Sequence, residues 1–567
     1  MNVMSGGKIS DWRRCVLVPD GSDDQCRGAQ IDGYDRCFTH LASTEIIHFL
    51  ETLNLGSTLD LRGTIIDLTT SDQLNQTLRS LAQSATEIAI DATEATFTGS
   101  ADFSGLTLRE ATFIRSKFSS DASFVNTAFT GDSTFSGVDF GATADFTRAT
   151  FSDTGIFTGA TFRESTEFAG ARFARIVNFS RANFVLSERL GPLIACKIDL
   201  SGTQSGVAIL IEAETGELSC RRARFSGGVE LRVRHGLVDL SETFLGAASS
   251  VATSARKFTF TGYLSDPGVM WSPSATEEQI EEWHTRTNAK DHRPILTSLK
   301  GTDVSELALT DVNLQWCRFA GAHHLDKVRI EGDSEFSRPP KSLWRSSRQV
   351  LFEEHPWRAS RHPYYKWLHF APFDNRLDYT EKVGADRLAA LYRSLRKALE
   401  DGKNEAGAGD FYYGEQEARR GAGGTSTIER ILLWSYWLVA GYGQRASRTF
   451  AALIVLITIS SVLLITCGLA TPGPTTQSST FSYRTSNGDQ QTVTSTTDVA
   501  PQLQRYTARW THTRIDASIR TSLGAVVFRD ASQKLTTPGV WTVMAARFIG
   551  PILLALAALA VRARVKR

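Results

Sequence analysis

The sequence has almost no net charge: 62 lysines and arginines stand against 61 aspartates and glutamates, leaving +1 over 567 residues. That balance argues against nucleic-acid binding, which draws on an excess of cations, and against an acidic tail. Cysteine is scarce and scattered, seven residues from Cys15 to Cys467, which is no framework for a small disulfide-stapled secreted fold. No apolar run follows the basic residues of MNVMSGGKISDWRR, so a secretory leader is not expected and the N-terminal portion is expected to stay in the cytoplasm. Phosphate-cradling glycine loops and nucleophile elbows are missing. Glu353, Glu354 and His355 in LFEEHPW lack the H-E-x-x-H spacing of a zinc protease. His323 and His324 adjoin, but strand neighbours face opposite sides and no carboxylate partner is evident near them, so they read as surface or turn residues. No enzymatic activity is expected.

What the sequence does have is a cadence. Seventeen large apolar residues recur at steps of five and six: Phe97, Phe103, Leu108, Phe113, Phe118, Phe124, Phe129, Phe135, Phe140, Phe146, Phe151, Phe157, Phe162, Phe168, Phe173, Phe179 and Phe184. Two residues before most of them stands a small one, such as Ala95, Ala101, Ala122, Ala144 or Ala160. In an extended segment residues i and i−2 share a side, so each unit offers one small and one large inward group. A period near 5.5 fits neither a helix stripe nor a flat strand; the units must turn a corner every few residues and stack as a solenoid. The phrases ADFSG, ATFIR, ATFSD, ATFRE and ARFAR resemble pentapeptide repeats with Phe in place of the commoner Leu. That resemblance implies a right-handed quadrilateral β-helix with four units per coil. The alternation of five and six is similar to a variant common in bacterial membrane-associated members. Soluble members that mimic DNA and bind topoisomerases need a dense negative surface, whereas residues 91–186 hold 11 Asp/Glu against 8 Lys/Arg, a net of −3.

The expected order is an N-terminal cap over 1–60, a short helical capping segment over 61–90, the solenoid over 91–260, an insertion over 261–295, further repeats over 296–337 and a helical neck over 338–425. Residues 190–260 read as a less regular continuation, with VELRVRHGLVDLSETF alternating as a half-buried strand does. The second array keeps Leu299, Val304, Leu309, Leu314 and Phe319 in step, with Cys317 as a small core residue. In the neck, Leu388, Leu391, Tyr392, Leu395 and Leu399 form a helical stripe with Asp386 as its expected N-cap and Gly402 as its stop; a second helix can start at Asp410.

Two uncharged or nearly uncharged stretches, 450–470 and 541–561, are each long enough at about 1.5 Å per residue to cross the roughly 30 Å hydrocarbon core. Arg445 and Arg448 before the first, and the basic tail over 562–567 after the second, place both ends in the cytoplasm and the 471–540 loop outside. The Ser/Thr-rich first half of that loop is expected to be mobile. A run within 428–445, with Trp434, Tyr436 and Trp437, suits an interfacial helix; a buried helix of the cytoplasmic domain is the other reading. The order span, amphipathic segment, span is that of a two-span channel, and Thr536–Gly539 is faintly similar to a filter threonine pair. The loop lacks the Gly-Tyr-Gly backbone that lines potassium sites, while Gly441-Tyr442-Gly443 precedes the first span. The phrases CRFAGAHHLDKVRIEG, LYRSLRKALEDGKNEAGAGDFYYGEQEARR and LLWSYWLVAGYGQRA resemble segments of actinobacterial membrane-associated pentapeptide-repeat proteins, so the resemblance covers nearly the whole chain.

Cys15, Cys26, Cys37 and His40, spaced C-x10-C-x10-C-x2-H, make a closed tetrahedral set for structural zinc, although the ten-residue gaps are not those of a standard finger. Relatives of the resembled family carry similar phrases ahead of their repeats. Unpaired structural cysteines and a redox pair stay open as alternatives. Taken together, the sequence reads as a mainly β chain with a helical C-terminal part: a solenoid, a neck and two transmembrane helices. The expected role is a scaffold for an unknown protein partner at the lipid bilayer, without nucleic acid, and with a homo-oligomer open. The alternative is a two-span channel-like, transport or sensor subunit.

Overall fold

The computed structural model describes residues 12–17, 26–53, 56–84, 86–254, 292–339, 348–361, 383–470, 476–484, 490–498, 503, 505, 509–528 and 533–565. The chain divides into two units, Met1–Asn404 and Glu405–Arg567. In the first, the cadence becomes a parallel β-solenoid of about ten turns. Asp139-Phe140 lies beside Lys117-Phe118 on one side and Thr161-Phe162 on the other, a register of 22 residues. Twenty-two is two fives and two sixes, so each coil has four inward large residues, one per face.

Stacking those residues from coil to coil builds four ladders. Phe97, Phe118, Phe140, Phe162 and Phe184 stack at 4.6, 5.2, 5.1 and 5.0 Å. Phe103, Phe124, Phe146 and Phe168 follow at 4.9, 4.7 and 4.8 Å. Phe113, Phe135, Phe157 and Phe179 stand at 5.1, 4.9 and 5.1 Å. The fourth ladder runs from Leu108 to Phe129, Phe151 and Phe173, its rings 4.3 and 4.4 Å apart. Rings of adjoining ladders meet edge to face, as Phe113 and Phe124 do at 86°. Such pairs contribute about 0.5–1.5 kcal/mol each beyond their burial. The small i−2 residues, Ala95, Ala122, Ala144 and Ala160 among them, are equally buried.

Every second corner is a tight turn in which the N–H three residues beyond a large residue donates back to its carbonyl, as from Ser116 to Phe113 (3.1 Å) and Ala149 to Phe146 (3.0 Å). The residue just before that donor is left-handed, and ordinary side chains such as Arg115 and Arg148 (φ 55° and 56°) share this duty with glycines such as Gly137 and Gly159 (both 67°). Hydroxyls tie coil to coil: Thr127 donates to the Phe103 carbonyl at 2.8 Å and Thr203 to that of Phe179 at 2.9 Å.

Beyond Phe184 the coil shortens to a 20-residue register, Gln204-Ser205 beside Arg224-Phe225. The core turns aliphatic, with Leu190, Leu193, Ile198, Ile211 and Leu218 buried on the long strands Arg189–Asp199 and Ile209–Ser219. Val229–Arg234 is a strand, as its alternation suggests. Helix α1 (Ser43–Thr52) precedes the first coil, and α2 (Leu68–Gln83) leaves the coil after Ile66 and returns before Phe97, which pairs with Ile66. A longer excursion separates Val238 from its partner Leu296. Most of the expected insertion 261–295 lies outside the described residues, but Ile295–Ser298 is already a solenoid strand.

Helices α3 (Glu354–Arg361) and α4 (Ala385–Asp401) follow the last coil. Asp386 is not the N-cap of α4: Gly384 is, and the acid sits in the first turn. Gly402 stops the helix as expected, while Lys403 takes the left-handed conformation (φ 58°). Lys397 of α4 reaches Asp326 at 2.8 Å. In the second unit, α5 spans Glu405–Gly421, starting a turn and more before Asp410, and a Cβ on Gly409 would lie 2.7 Å from Gln444 Oε1. Then come α6 (Thr427–Ala440), α7 (Ala446–Leu463, continued by a wide turn to Gly468), α8 (His512–Leu523, continued to Phe528) and α9 (Thr537–Val565). The stretch expected to be mobile instead forms an antiparallel hairpin, Thr476–Arg484 against Gln490–Asp498. Its alternating threonines, with Phe481, Tyr483 and Val493, supply the β-branched and aromatic pairs that a two-stranded ribbon needs.

Candidate metal centre and apolar helices

The four residues of the C-x10-C-x10-C-x2-H pattern converge. Segments 12–17 and 26–31 pair through Cys15 N–H to Gly28 (2.8 Å) and Gln30 N–H to Arg13 (2.8 Å), which brings Cys15 and Cys26 to one end. A turn around Gly33 (φ 88°) leads to the tight turn Phe38–His40, whose closing bond, His40 N–H to Cys37 O, is 3.0 Å. His40 Nδ1 then lies 3.3 Å from both Cys15 Sγ and Cys37 Sγ, and Cys26 Sγ lies 3.8 Å from Cys37 Sγ. All four donor atoms fall within 4.8 Å of one another. A tetrahedral zinc with ordinary bond lengths has edges of about 3.8 Å between sulfurs and about 3.6 Å between sulfur and nitrogen. The cluster therefore has the dimensions and donor types to hold a metal ion.

Burial pushes the Cys37 thiol up to about 12; the Thr39 hydroxyl works against the rise, and the neighbouring Cys26 and Cys15 add to it. Gly28 donates its N–H to Cys26 Sγ at 3.4 Å, and a Cβ on Gly28 would stand 2.6 Å from Cys37 Cβ and 2.8 Å from its sulfur. The cluster rests on the first coil, where Ala29 N–H donates to Arg62 O at 2.8 Å.

Other residues weighed in the sequence take structural places. Cys317 is fully buried and its thiol is raised well above the usual range by burial. His324 does have a carboxylate partner: its Nδ1 is 2.9 Å from Asp303 Oδ2, one coil earlier. Glu353 and Glu354, which sequence reasoning left without a role, close the end of the solenoid. Glu353 accepts the N–H groups of Phe319 (2.6 Å) and Ala320 (2.8 Å), and burial raises its pKa against those donors. Glu354 bonds to Arg348, to Tyr392 and, at 2.5 Å, to Arg358. Burial opposes its ionisation, but Arg348 and Arg358 hold it down to about 2.

Two helices are long and apolar enough to cross a membrane, Ala446–Gly468 and Thr537–Arg562. Leu464, Leu469, Ala525, Val526, Val543 and Ala546 form a core between them and the end of α8. Gly468 and Gly539 touch so closely that a Cβ on Gly539 would lie 2.3 Å from the Gly468 carbonyl. The Thr536 hydroxyl bonds to Cys467 O at 2.5 Å and accepts from Gly539 N–H, capping α9. Gly441-Tyr442-Gly443 is the turn between α6 and α7, all three residues at positive φ, with Tyr442 buried and donating to Glu417 at 3.0 Å. Along α6, Ile428, Ile431, Leu432, Trp434 and Leu438 are exposed, and only Ala440 is buried, so α6 is not a buried helix within its own unit. No protein-family model, curated protein or solved structure gives a significant match to the chain. The stacked coils and the regular Phe spacing are nonetheless consistent with pentapeptide repeats.

Proposed function

We propose that the protein is a membrane-anchored pentapeptide-repeat scaffold of the actinobacterial kind, acting by binding a protein partner rather than by catalysis. The observation that carries this reading is the union in one chain of a ten-turn solenoid and two apolar helices of spanning length. A solenoid offers a long surface fixed by its core, suited to contact with another protein. α7 and α9 cross the bilayer, both chain ends lie in the cytoplasm, and α6 rests in the headgroup layer with Trp434 toward lipid. Zinc at Cys15, Cys26, Cys37 and His40 staples the hairpin that covers the first coil. Proximity labelling from a ligase fused before Trp12 tests the reading. The expected outcome is a reproducible set of cytoplasmic proteins lost when residues 91–254 are deleted; an unchanged set, or labelled proteins outside the cell, overturns it.

A second reading, a two-span channel-like or transport subunit, is favoured by one observation: α8 packs between the two spanning helices rather than lying apart in the loop.

A further inference from the structure

α8 runs antiparallel to the end of α7. In its first turn, Arg514 donates to the carbonyls of Ile465 (3.4 Å) and Leu469 (3.0 Å) at the loop end of α7. Two turns on, the buried Ser522 hydroxyl meets that of Ser461 at 3.1 Å. Past the last turn, Val526 lies so near Gly550 that a Cβ there would come within 2.9 Å of it. Gly550 is at the middle of the Thr537–Arg562 span. From Arg514 to Val526 is about 18 Å of helix, close to half the thickness of a bilayer core. The chain is back at the loop end by Leu535, which pairs with Leu469. α8 is therefore a re-entrant helix if α7 and α9 span a bilayer.

Its two faces differ. Ser518, Thr521, Ser522 and Val526 are buried in the unit. The opposite stripe, Asp516, Arg520, Leu523 and Val527 at i, i+4, i+7 and i+11, is open. Asp516 and Arg520 pair at 2.9 Å with side chains 61% and 79% exposed. The exposed stripe of α9, by contrast, is apolar: Trp541, Met544, Phe548, Ile552 and Leu559. One surface suits hydrocarbon; the other does not, because an ion pair turned to lipid costs several kcal/mol and an intramembrane ion pair faces protein or water. Arg520 lies about 9 Å nearer the midplane than Arg514.

We propose that copies of this chain assemble through the membrane unit so that their α8 stripes surround a water-filled vestibule open toward the 471–536 loop. Asp516 and Arg520 wet its mouth, and Leu523 and Val527 form its floor. Neighbouring copies screen the Asp516–Arg520 pair of each α8 from hydrocarbon and leave it to the water of the vestibule. This deepens the channel-like reading and rests on α7 and α9 spanning the bilayer.

The test uses the full-length chain in intact cells, with Cys467→Ser as background and single cysteines at Arg520, Leu523 and Phe548. The probe is a membrane-impermeant cationic methanethiosulfonate added outside. The expected result is modification of Arg520→Cys at least about tenfold faster than Phe548→Cys, with Leu523→Cys between them. Native mass measurement in lipid nanodiscs is expected to give more than one copy per particle. Arg520→Cys and Leu523→Cys reacting as slowly as Phe548→Cys, or single copies in the nanodiscs, would overturn the proposal. Rapid modification of Phe548→Cys would instead overturn the membrane-spanning reading beneath it.

Discussion

The two units place large aromatic residues on opposite sides of their surfaces. In the solenoid, Phe103, Phe146 and Phe179 are wholly buried. In the second unit, Phe450, Trp541 and Phe548 are 47%, 69% and 74% exposed, while Ala546, Ala557 and Ala560 are buried. Water drives large apolar groups together in the first case. Under the proposed membrane placement the second unit would lack that drive, and its helices would associate through small residues that let backbones approach. The contrast teaches that the two units bury opposite kinds of side chain, and it can be broken by experiment.

The largest expected effect compares one residue type across the units. Phe146→Ala should cost the solenoid about 3–5 kcal/mol, measured by urea denaturation of the full chain in nanodiscs, because its ring stacks on both neighbouring coils. Phe548→Ala should change the stability of the membrane unit by less than about 1 kcal/mol. Equal losses would erase the contrast. Acid sharpens it next. Glu354 is held at about 2 in the fold against 4.5 when free. Its contribution, of order 3 kcal/mol, is fully present above pH 4.5 and is lost as pH falls from there through 2. Glu354→Gln should remove this acid step from the solenoid transition and leave the membrane unit unmoved; a step that persists in the variant assigns it elsewhere.

A smaller effect concerns the metal cluster. Gly28→Ala forces a methyl against Cys37 and should lower the zinc content of the purified full chain, read by elemental analysis, while the solenoid keeps its circular-dichroism signal. Stoichiometric zinc in the variant would show that the cluster tolerates the methyl. Smallest is Arg148→Gly, at a left-handed corner (φ 56°), which should stabilise the solenoid by up to about 1 kcal/mol in the same urea titration.

Much of this was legible in the sequence because a solenoid converts spacing directly into contact. The steps of five and six sum to the 22-residue register, so Phe124 and Phe146 can be seen to stack before any coordinates exist. Cys37 and His40 were legible for the same reason of local spacing, and the apolar length of α7 and α9 announced itself. What stayed hidden depends on distant chain. The partnership of His324 with Asp303 needs the coil register of the second array. Glu353 needs the last coil to present its N–H groups. The hairpin at 476–498 was hidden by composition: its threonines read as polar and mobile until pairing showed their alternation.

The 22-residue register also makes the Phe-rich rod a ruler. Neighbouring strands in a sheet lie about 4.8 Å apart, so each coil adds that length and nothing else. Removing residues 124–145 would shorten the rod by one such increment and leave every ladder in register, with Phe146 seated where Phe124 had been. Removing only eleven residues would instead carry everything downstream half a revolution round the axis, turning each outer face of the later coils to the opposite side.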